Sequence, residues 1–182
     1  MRGFLAIPLA LIVCLALAPP VGAQPAPLTP ATPIDLMNDT GTVSGDVSTG
    51  HLIFSFPGMT GQIVTLDINV TEIRPGTGAT DDDSELFLFN EAGNLLAAND
   101  DQSDDNLQSL ISDFALPSSG TFFVGVTTFN NNPIITDGVI SGWEDDGESN
   151  IGFDLAVTII PEPGSLMLLA GGAALALARR RR

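Results

Sequence analysis

Residues 35–160 predict an all-β fold, an antiparallel β-sandwich of jelly-roll-like form. Two segments, 64–71 and 151–160, alternate apolar and polar residues with period two, which is typical of strands with one buried face. Turn signals rich in Pro, Gly and Asn separate the apolar runs. The range shows neither a long helical stripe nor βαβ alternation, so seven to nine short strands are expected.

The individual strands follow from where the apolar runs lie. Segment 85–89 is apolar at successive positions, which predicts burial on both faces. The run 134–140 is interrupted by Asp137-Gly138, and residues 104–114 are interpreted as a loop followed by a strand. The predicted strands are 51–56, 64–71, 85–89, 121–129, 134–140 and 151–160.

The charge of the chain is strongly unbalanced. Its 182 residues include 22 acids and 6 bases, and none of the bases is Lys. Residues 24–160 hold every acid except Glu162 and a single Arg, Arg74, so their net charge is 1 − 21 = −20. Such a surface repels phosphate backbones and excludes nucleic acid as a partner. It suits a soluble exported protein or one that collects divalent cations.

Residues 1–23 have the pattern of a secretory signal peptide. Arg2 supplies the positive start, and residues 4–18 form an apolar run too short for a comfortable membrane span. Cleavage is expected between Ala23 and Gln24, after delivery to the secretion machinery. An uncleaved anchor helix is the alternative. The only cysteine, Cys14, lies inside this segment, so the mature chain has no disulfide.

Residues 24–34 are interpreted as a Pro-rich linker that joins the signal peptide to the sandwich domain. Four prolines in such a short segment favour a semi-extended chain that is not packed. The prolines are Pro25, Pro27, Pro30 and Pro33.

Residues 164–178 form a second apolar run, followed by four arginines. As a helix the run would be about 22 Å long, shorter than a hydrocarbon core of about 30 Å. Snorkelling of the arginines would let it span as a short transmembrane helix. The arginines should remain cytoplasmic, which places everything between the two apolar runs outside the inner membrane.

Residues 161–182 resemble the PEP-CTERM sorting signal of Gram-negative bacteria. The matching features, in order, are Pro161, Glu162 and Pro163, the apolar run, and Arg179, Arg180, Arg181 and Arg182. The resemblance implies recognition by an exosortase-type membrane protease-transpeptidase and removal of the tail near the first motif. It implies transient anchoring in the inner membrane, then the cell surface or exterior, and a link to exopolysaccharide and biofilm. An ordinary tail anchor with a proline hinge is the alternative.

The central segment resembles the bacterial pre-peptidase C-terminal domain. The resemblance covers roughly residues 40–160 and is clearest where the acidic run 81–83 leads into 84–101, and again at 116–126. It implies a jelly-roll-like sandwich that is non-catalytic and often appended to secreted enzymes.

Two acidic clusters flank the predicted hairpin 85–99. If Phe87 and Ala97 pair across the turn, Asp83 and Asp100 lie close together at its open end. Calcium takes six to eight hard oxygens from loops of this kind, so we hypothesise a calcium site there. Its ligands would be Asp81 or Asp83 with Asp100, Asp101 and Asp104. A solvated acidic rim is the alternative.

Enzymatic readings have little support in the sequence. His51, the only histidine, is expected on the surface at the start of a strand, and no Gly-x-Ser-x-Gly elbow is present. The favoured interpretation is therefore a non-catalytic structural or adhesion module of the cell envelope or extracellular matrix. One alternative is a carbohydrate-binding module that uses Trp143 as a stacking platform, although we expect this ring to be a partly buried plug. The other alternative is a hydrolase that uses His51 or two carboxylates.

Overall fold

The computed structural model describes residues 25–75 and 81–161, which consist almost wholly of β-strands. The predicted all-β fold is confirmed, with one short 3-10 helix at Ala26–Leu28. The strands of these residues are β1 (Thr32–Pro33), β2 (Thr40–Val47), β3 (Leu52–Gly58), β4 (Ile63–Ile73), β5 (Ser84–Phe89), β6 (Leu95–Asn99), β7 (Leu110–Ala115), β8 (Gly120–Thr128), β9 (Pro133–Thr136), β10 (Val139–Trp143) and β11 (Ile151–Ile160).

The strands form two packed sheets and a separate hairpin. One sheet has five strands in the order β1-β3-β8-β5-β6, and the other has four in the order β2-β11-β4-β7. The pairs are antiparallel except for the short parallel contact between β1 and β3. β9 and β10 form the hairpin, and its Asp137-Gly138 turn has positive φ at both residues, as the tight turns of hairpins require.

No helix in residues 25–75 and 81–161 is long and apolar enough to cross a membrane. The expected signal peptide (1–23) and transmembrane segment (164–178) lie outside the described residues.

The period-two patterns bury the faces that the sequence predicts. Val64, Leu66 and Ile68 of β4 are buried, while Asp67 and Asn69, on either side of Ile68, are exposed. On β11 the alternate positions from Ile151 to Ile159 are likewise buried. These side chains meet those of the five-stranded sheet in the main core between the two sheets.

The five-stranded sheet is buried on both faces, as the sequence of 85–89 predicts. Leu86 and Leu88 point into the main core, whereas Phe87 and Phe89 belong to a second apolar cluster on the opposite face. That second cluster is centred on Trp143 of β10. Its members are Leu28, Ile53, Phe87, Phe89, Phe123, Ile140 and Trp143.

The expectation of an unpacked linker at residues 24–34 is wrong for the part that the structure describes. Leu28 is 0% exposed within the second cluster, and Ile34 is buried in the main core. Trp143 donates its indole N–H to the carbonyl of Pro27 at 3.1 Å. The prolines set an extended path, but the apolar residues between them cover sheet area that would otherwise face water.

The stability of the domain is expected to depend on this N-terminal segment. Leu28→Ala should lower the free energy of unfolding by about 3 kcal/mol, because it opens a cavity in the second cluster. Chemical denaturation of the mature protein measures this. Met37→Ala, at a side chain that is 75% exposed, should change the value by less than about 0.5 kcal/mol. Equal effects of the two substitutions would mean that the segment contributes no packing.

Candidate functional site

The acidic end of the β5–β6 hairpin brings three carboxylates together. Asp83 immediately precedes β5, and Asp100 and Asp101 immediately follow β6. One oxygen from each of the three lies within 4.8 Å of the others. We call these three residues the acidic triad. Phe87 pairs with Ala98, one residue beyond the expected Ala97, because a bulge at Leu88/Phe89 shifts the register.

The other two proposed calcium ligands lie elsewhere. Asp81 accepts a short hydrogen bond from the Ser149 hydroxyl, which ties it to the loop before β11. Asp104 is exposed in the turn between β6 and β7 and is not part of the acidic triad. Of the expected ligands, the structure therefore brings Asp83, Asp100 and Asp101 together.

Buried hydroxyls and amides fix the backbone on both sides of the acidic triad. Ser109 donates to the carbonyls of Asp100, at 2.8 Å, and of Ser84, and its amide donates to the Ser84 hydroxyl at 3.0 Å. Asn99 accepts from the amide of Leu110 at 2.6 Å. These bonds hold the start of β5 and the end of β6 in register, so the carboxylates are positioned before any ion arrives.

The acidic triad carries electrostatic strain. The Oδ1 atom of Asp83 is buried and has no hydrogen-bond partner within the described residues. Burial, together with the nearby charges of Asp100, Asp81 and Asp101, raises the pKa of Asp83 to about 7. Burial and the charge of Asp101 also raise the pKa of Asp100.

Glu85, two residues along β5, adds a fourth carboxylate on the same end. It is only 5% exposed and accepts a hydrogen bond from the Thr127 hydroxyl at 3.0 Å. Burial, reinforced by the charges of Asp100 and Asp83, raises the pKa of Glu85 to about 7. The sequence places Glu85 in an acidic cluster with the run 81–83, but Glu85 is not among the expected calcium ligands.

Residues 25–75 and 81–161 bring no Lys or Arg to this end. Arg74 is the one Lys or Arg within the described residues, and it pairs with Asp46 at 2.6 Å and Glu72 at 2.7 Å. The four carboxyls therefore lie together without a compensating Lys or Arg among the described residues.

Trp143 and His51 form a packing unit. Trp143 is 7% exposed; His51 stacks on it with ring centroids 4.7 Å apart, and Phe87 meets it edge-on. Gly125 permits this packing, because a Cβ there would lie 2.5 Å from the indole ring. The predicted plug is confirmed, and the sugar-stacking platform at Trp143 is wrong because its face is covered. His51 is half-buried, and its Nδ1 lies 3.0 Å from Asp145 rather than against a serine hydroxyl.

Comparisons with known proteins agree with the architecture. Residues 52–128, from the start of β3 to the end of β8, match the family model of the bacterial pre-peptidase C-terminal domain. Residues 160–182, which begin at the last residue of β11, match the model of the PEP-CTERM protein-sorting motif. No match is found among the curated proteins.

Three solved structures resemble the fold. The periplasmic g-type lysozyme inhibitor PliG of Aeromonas hydrophila is 15% identical, with coverage of 71% of this chain and 96% of that chain and a TM-score of 0.45. PliG of Salmonella Typhimurium is 15% identical, with 71% and 98% coverage and a TM-score of 0.42. The pre-peptidase C-terminal domain of Bacillus anthracis collagenase is 14% identical, with 70% and 94% coverage and a TM-score of 0.45.

The fold is a small β-sandwich with an acidic end, and the described residues contain no disulfide. The chain carries a PEP-CTERM sorting motif at 160–182, and its sandwich resembles the bacterial pre-peptidase C-terminal domain over residues 52–128. The sorting motif implies export to the cell envelope and processing by an exosortase. Both matched models describe non-catalytic segments.

We expect the domain, free of metal, to lose stability as the pH rises from about 4 to about 7. Asp83 and Glu85 hold their protons up to about pH 7 in the folded state, whereas the ordinary values are 3.8 and 4.5. The folded state therefore binds more protons in this window, and the free energy of unfolding falls as the pH rises. Thermal unfolding in a chelator measures the change.

Asp83→Asn should reduce this pH dependence and raise the melting temperature at pH 8 by a few degrees, because it removes one strained charge. Asp105→Asn removes an exposed charge from the neighbouring turn and is the matched control. A pH profile identical in Asp83→Asn and the unsubstituted protein would refute the assignment of strain to the acidic triad.

Proposed function

We propose that the protein is an exported, exosortase-sorted and non-enzymatic structural or adhesion module of the cell envelope or extracellular matrix, and that calcium stiffens it. The observation that carries the calcium part is the convergence of Asp83, Asp100 and Asp101 within 4.8 Å. The sorting motif at 160–182 supports the location. Exopolysaccharide is the proposed neighbour, because export by this route would place an acidic module among secreted polymers.

The chemistry of the acidic triad suits calcium. Three carboxylates offer up to six oxygens, and water or backbone carbonyls complete the six to eight that calcium takes. All the side-chain donors are hard oxygens, a set that favours calcium, magnesium or manganese over zinc or copper. A divalent ion would also supply the positive charge that the chain lacks at this end and would give the buried Oδ1 of Asp83 a partner.

A rigid sandwich suits a structural or adhesion module. Two sheets and a covering hairpin bury an extensive core, so the module keeps its shape outside the cell without a disulfide. A calcium ion joining the start of β5 to the end of β6 would close the open end of one hairpin. We infer that it acts mechanically and stabilises the sheet edge where β6 lies.

Calcium should bind one site on the mature protein and raise its melting temperature at pH 8. Binding to the folded state alone stabilises it in proportion to the logarithm of the calcium concentration above the dissociation constant, by about 2.7 kcal/mol at a hundredfold excess. Isothermal titration and thermal unfolding measure the two effects. Absence of both at millimolar calcium would refute the proposed site.

Two variants test the location of the ion. Asp100→Asn should abolish saturable calcium binding, because Asp100 supplies one of the three carboxylates of the acidic triad. Asp104→Asn should leave it unchanged, because Asp104 lies outside the acidic triad. Loss of binding with Asp104→Asn and retention with Asp100→Asn would move the site to the adjoining turn.

Sorting makes a separate prediction about the covalent structure. Mass spectrometry of the protein from its native host should find a chain that starts at Gln24, ends near Pro161, Glu162 and Pro163, and lacks Arg179 to Arg182. Substitution of the three motif residues by alanine should leave the tail attached. An intact tail in the exported, unsubstituted protein would contradict exosortase processing.

A further inference from the structure

A cavity lies beside the acidic triad, on the outer face of the five-stranded sheet. It has a volume of about 300 Å³ and opens between β5, β6 and the loop before β9. Its volume is at the lower end of the range for small-molecule sites. The lining residues are Glu85, Phe87, Ala98, Asn99, Asp100 and Asn132.

The cavity combines an apolar floor with an acidic wall. Phe87 and Ala98 are direct cross-strand partners and form the floor. Glu85 and Asp100 lie two residues further along the same two strands and supply the wall. Metal ions such as calcium take oxygen ligands only, so the aromatic floor is not explained by the proposed calcium site.

The wall contains a carboxylate that is already buried before any ligand arrives. Glu85 is 5% exposed, and the Thr127 hydroxyl is the side chain that donates to it. The backbone amide of Asn130 also donates to Glu85. An ionised carboxylate has about four acceptor positions, so a ligand donor can occupy the two that remain. No Lys or Arg of the described residues reaches it, since Arg74 is held by Asp46 and Glu72.

The loop before β9, which contributes Asn132 to the cavity, is fixed by hydrogen bonds to other parts of the chain. The amide of Asn132 donates to the Glu144 carboxylate at 3.2 Å. The buried Asn131 donates to the carbonyl of Gly50 at 2.7 Å and accepts from the amide of Asp145 at 2.8 Å. The loop is thus fixed to two other parts of the chain, and the cavity needs no rearrangement to admit a ligand.

From this geometry we propose that the cavity binds a guanidinium group, with its plane against Phe87 and its N–H donors directed at Glu85 and Asp100. A guanidinium is planar, weakly hydrated, suited to paired donation to carboxylates, and able to stack on an aromatic ring. An arginine side chain of another polypeptide and a free alkylguanidine present the same chemistry. The proposal does not require calcium, and because both sites use Asp100, a bound calcium ion would compete with the guanidinium for that carboxylate.

The test compares a matched pair of ligands on the mature protein in the presence of a chelator. N-butylguanidinium and the neutral N-butylurea have nearly the same shape and differ in charge. Titration followed by NMR should give saturable shifts at Phe87, Ala98 and Asn132 with the guanidinium. It should give none, or binding at least about tenfold weaker, with the urea. Equal binding of the two, or shifts centred elsewhere, would overturn the proposal.

Glu85→Gln keeps the size of the side chain and a carbonyl oxygen for Thr127, so the fold should persist while affinity for N-butylguanidinium falls about tenfold or more. Asp105→Asn is the control for loss of one negative charge and should leave the affinity within about twofold. Unchanged affinity in Glu85→Gln would overturn the proposal.

A blocked Gly-Arg-Gly peptide distinguishes the source of the group. Binding of the peptide with shifts at the same residues assigns the site to an arginine on a polypeptide. Binding of N-butylguanidinium alone assigns it to free alkylguanidines. Because calcium is absent throughout, failure here leaves the calcium proposal standing, and failure of calcium binding leaves this one standing.

Discussion

The need to cover both faces of the five-stranded sheet determines most of this structure. Phe87, Phe89 and Phe123 point away from the main core, so a sandwich of two sheets alone would leave three aromatic rings in water. The N-terminal segment and the β9–β10 hairpin cover them, and they meet at the bond between Trp143 and Pro27. The sheet thus becomes the middle layer of three.

The sequence predicts the layers better than it predicts their edges. β4 and β11 alternate cleanly because each has one buried face, and β5 is apolar throughout because it has two. β2 gives no such signal: it is an edge strand of Thr, Gly and Ser that pairs with β11 on one side only. The segment 25–34 misleads for another reason, because its burial depends on a sheet formed by residues far along the chain.

The acidic site was predictable in outline for a topological reason. Residues before and after a hairpin must meet at its open end, so Asp83 and Asp100 had to approach each other whatever the register. The exact pairing of β5 with β6 depends on a bulge between Leu88 and Phe89, which the sequence does not predict. The positions of the Asp81 and Asp104 side chains could not be predicted from the sequence. Asp81 is held by a hydrogen bond from Ser149, and Asp104 is exposed to solvent.

A high number of neighbouring acidic residues does not by itself create a candidate cation site in this chain. The cluster at 144–148 is as acidic as the hairpin end, yet Glu144 accepts from the amide of Asn132 and Asp145 contacts His51, so both carboxylates already have partners elsewhere in the chain. Asp83 and Glu85 differ because they bracket the first residue of β5, a strand buried on both faces. The packing that stabilises the middle layer is therefore what removes water from these two carboxyls and raises the pKa of each to about 7. A cation bound there would offset part of the free-energy cost of burying these carboxyls. Cation binding would therefore stabilise the whole sheet.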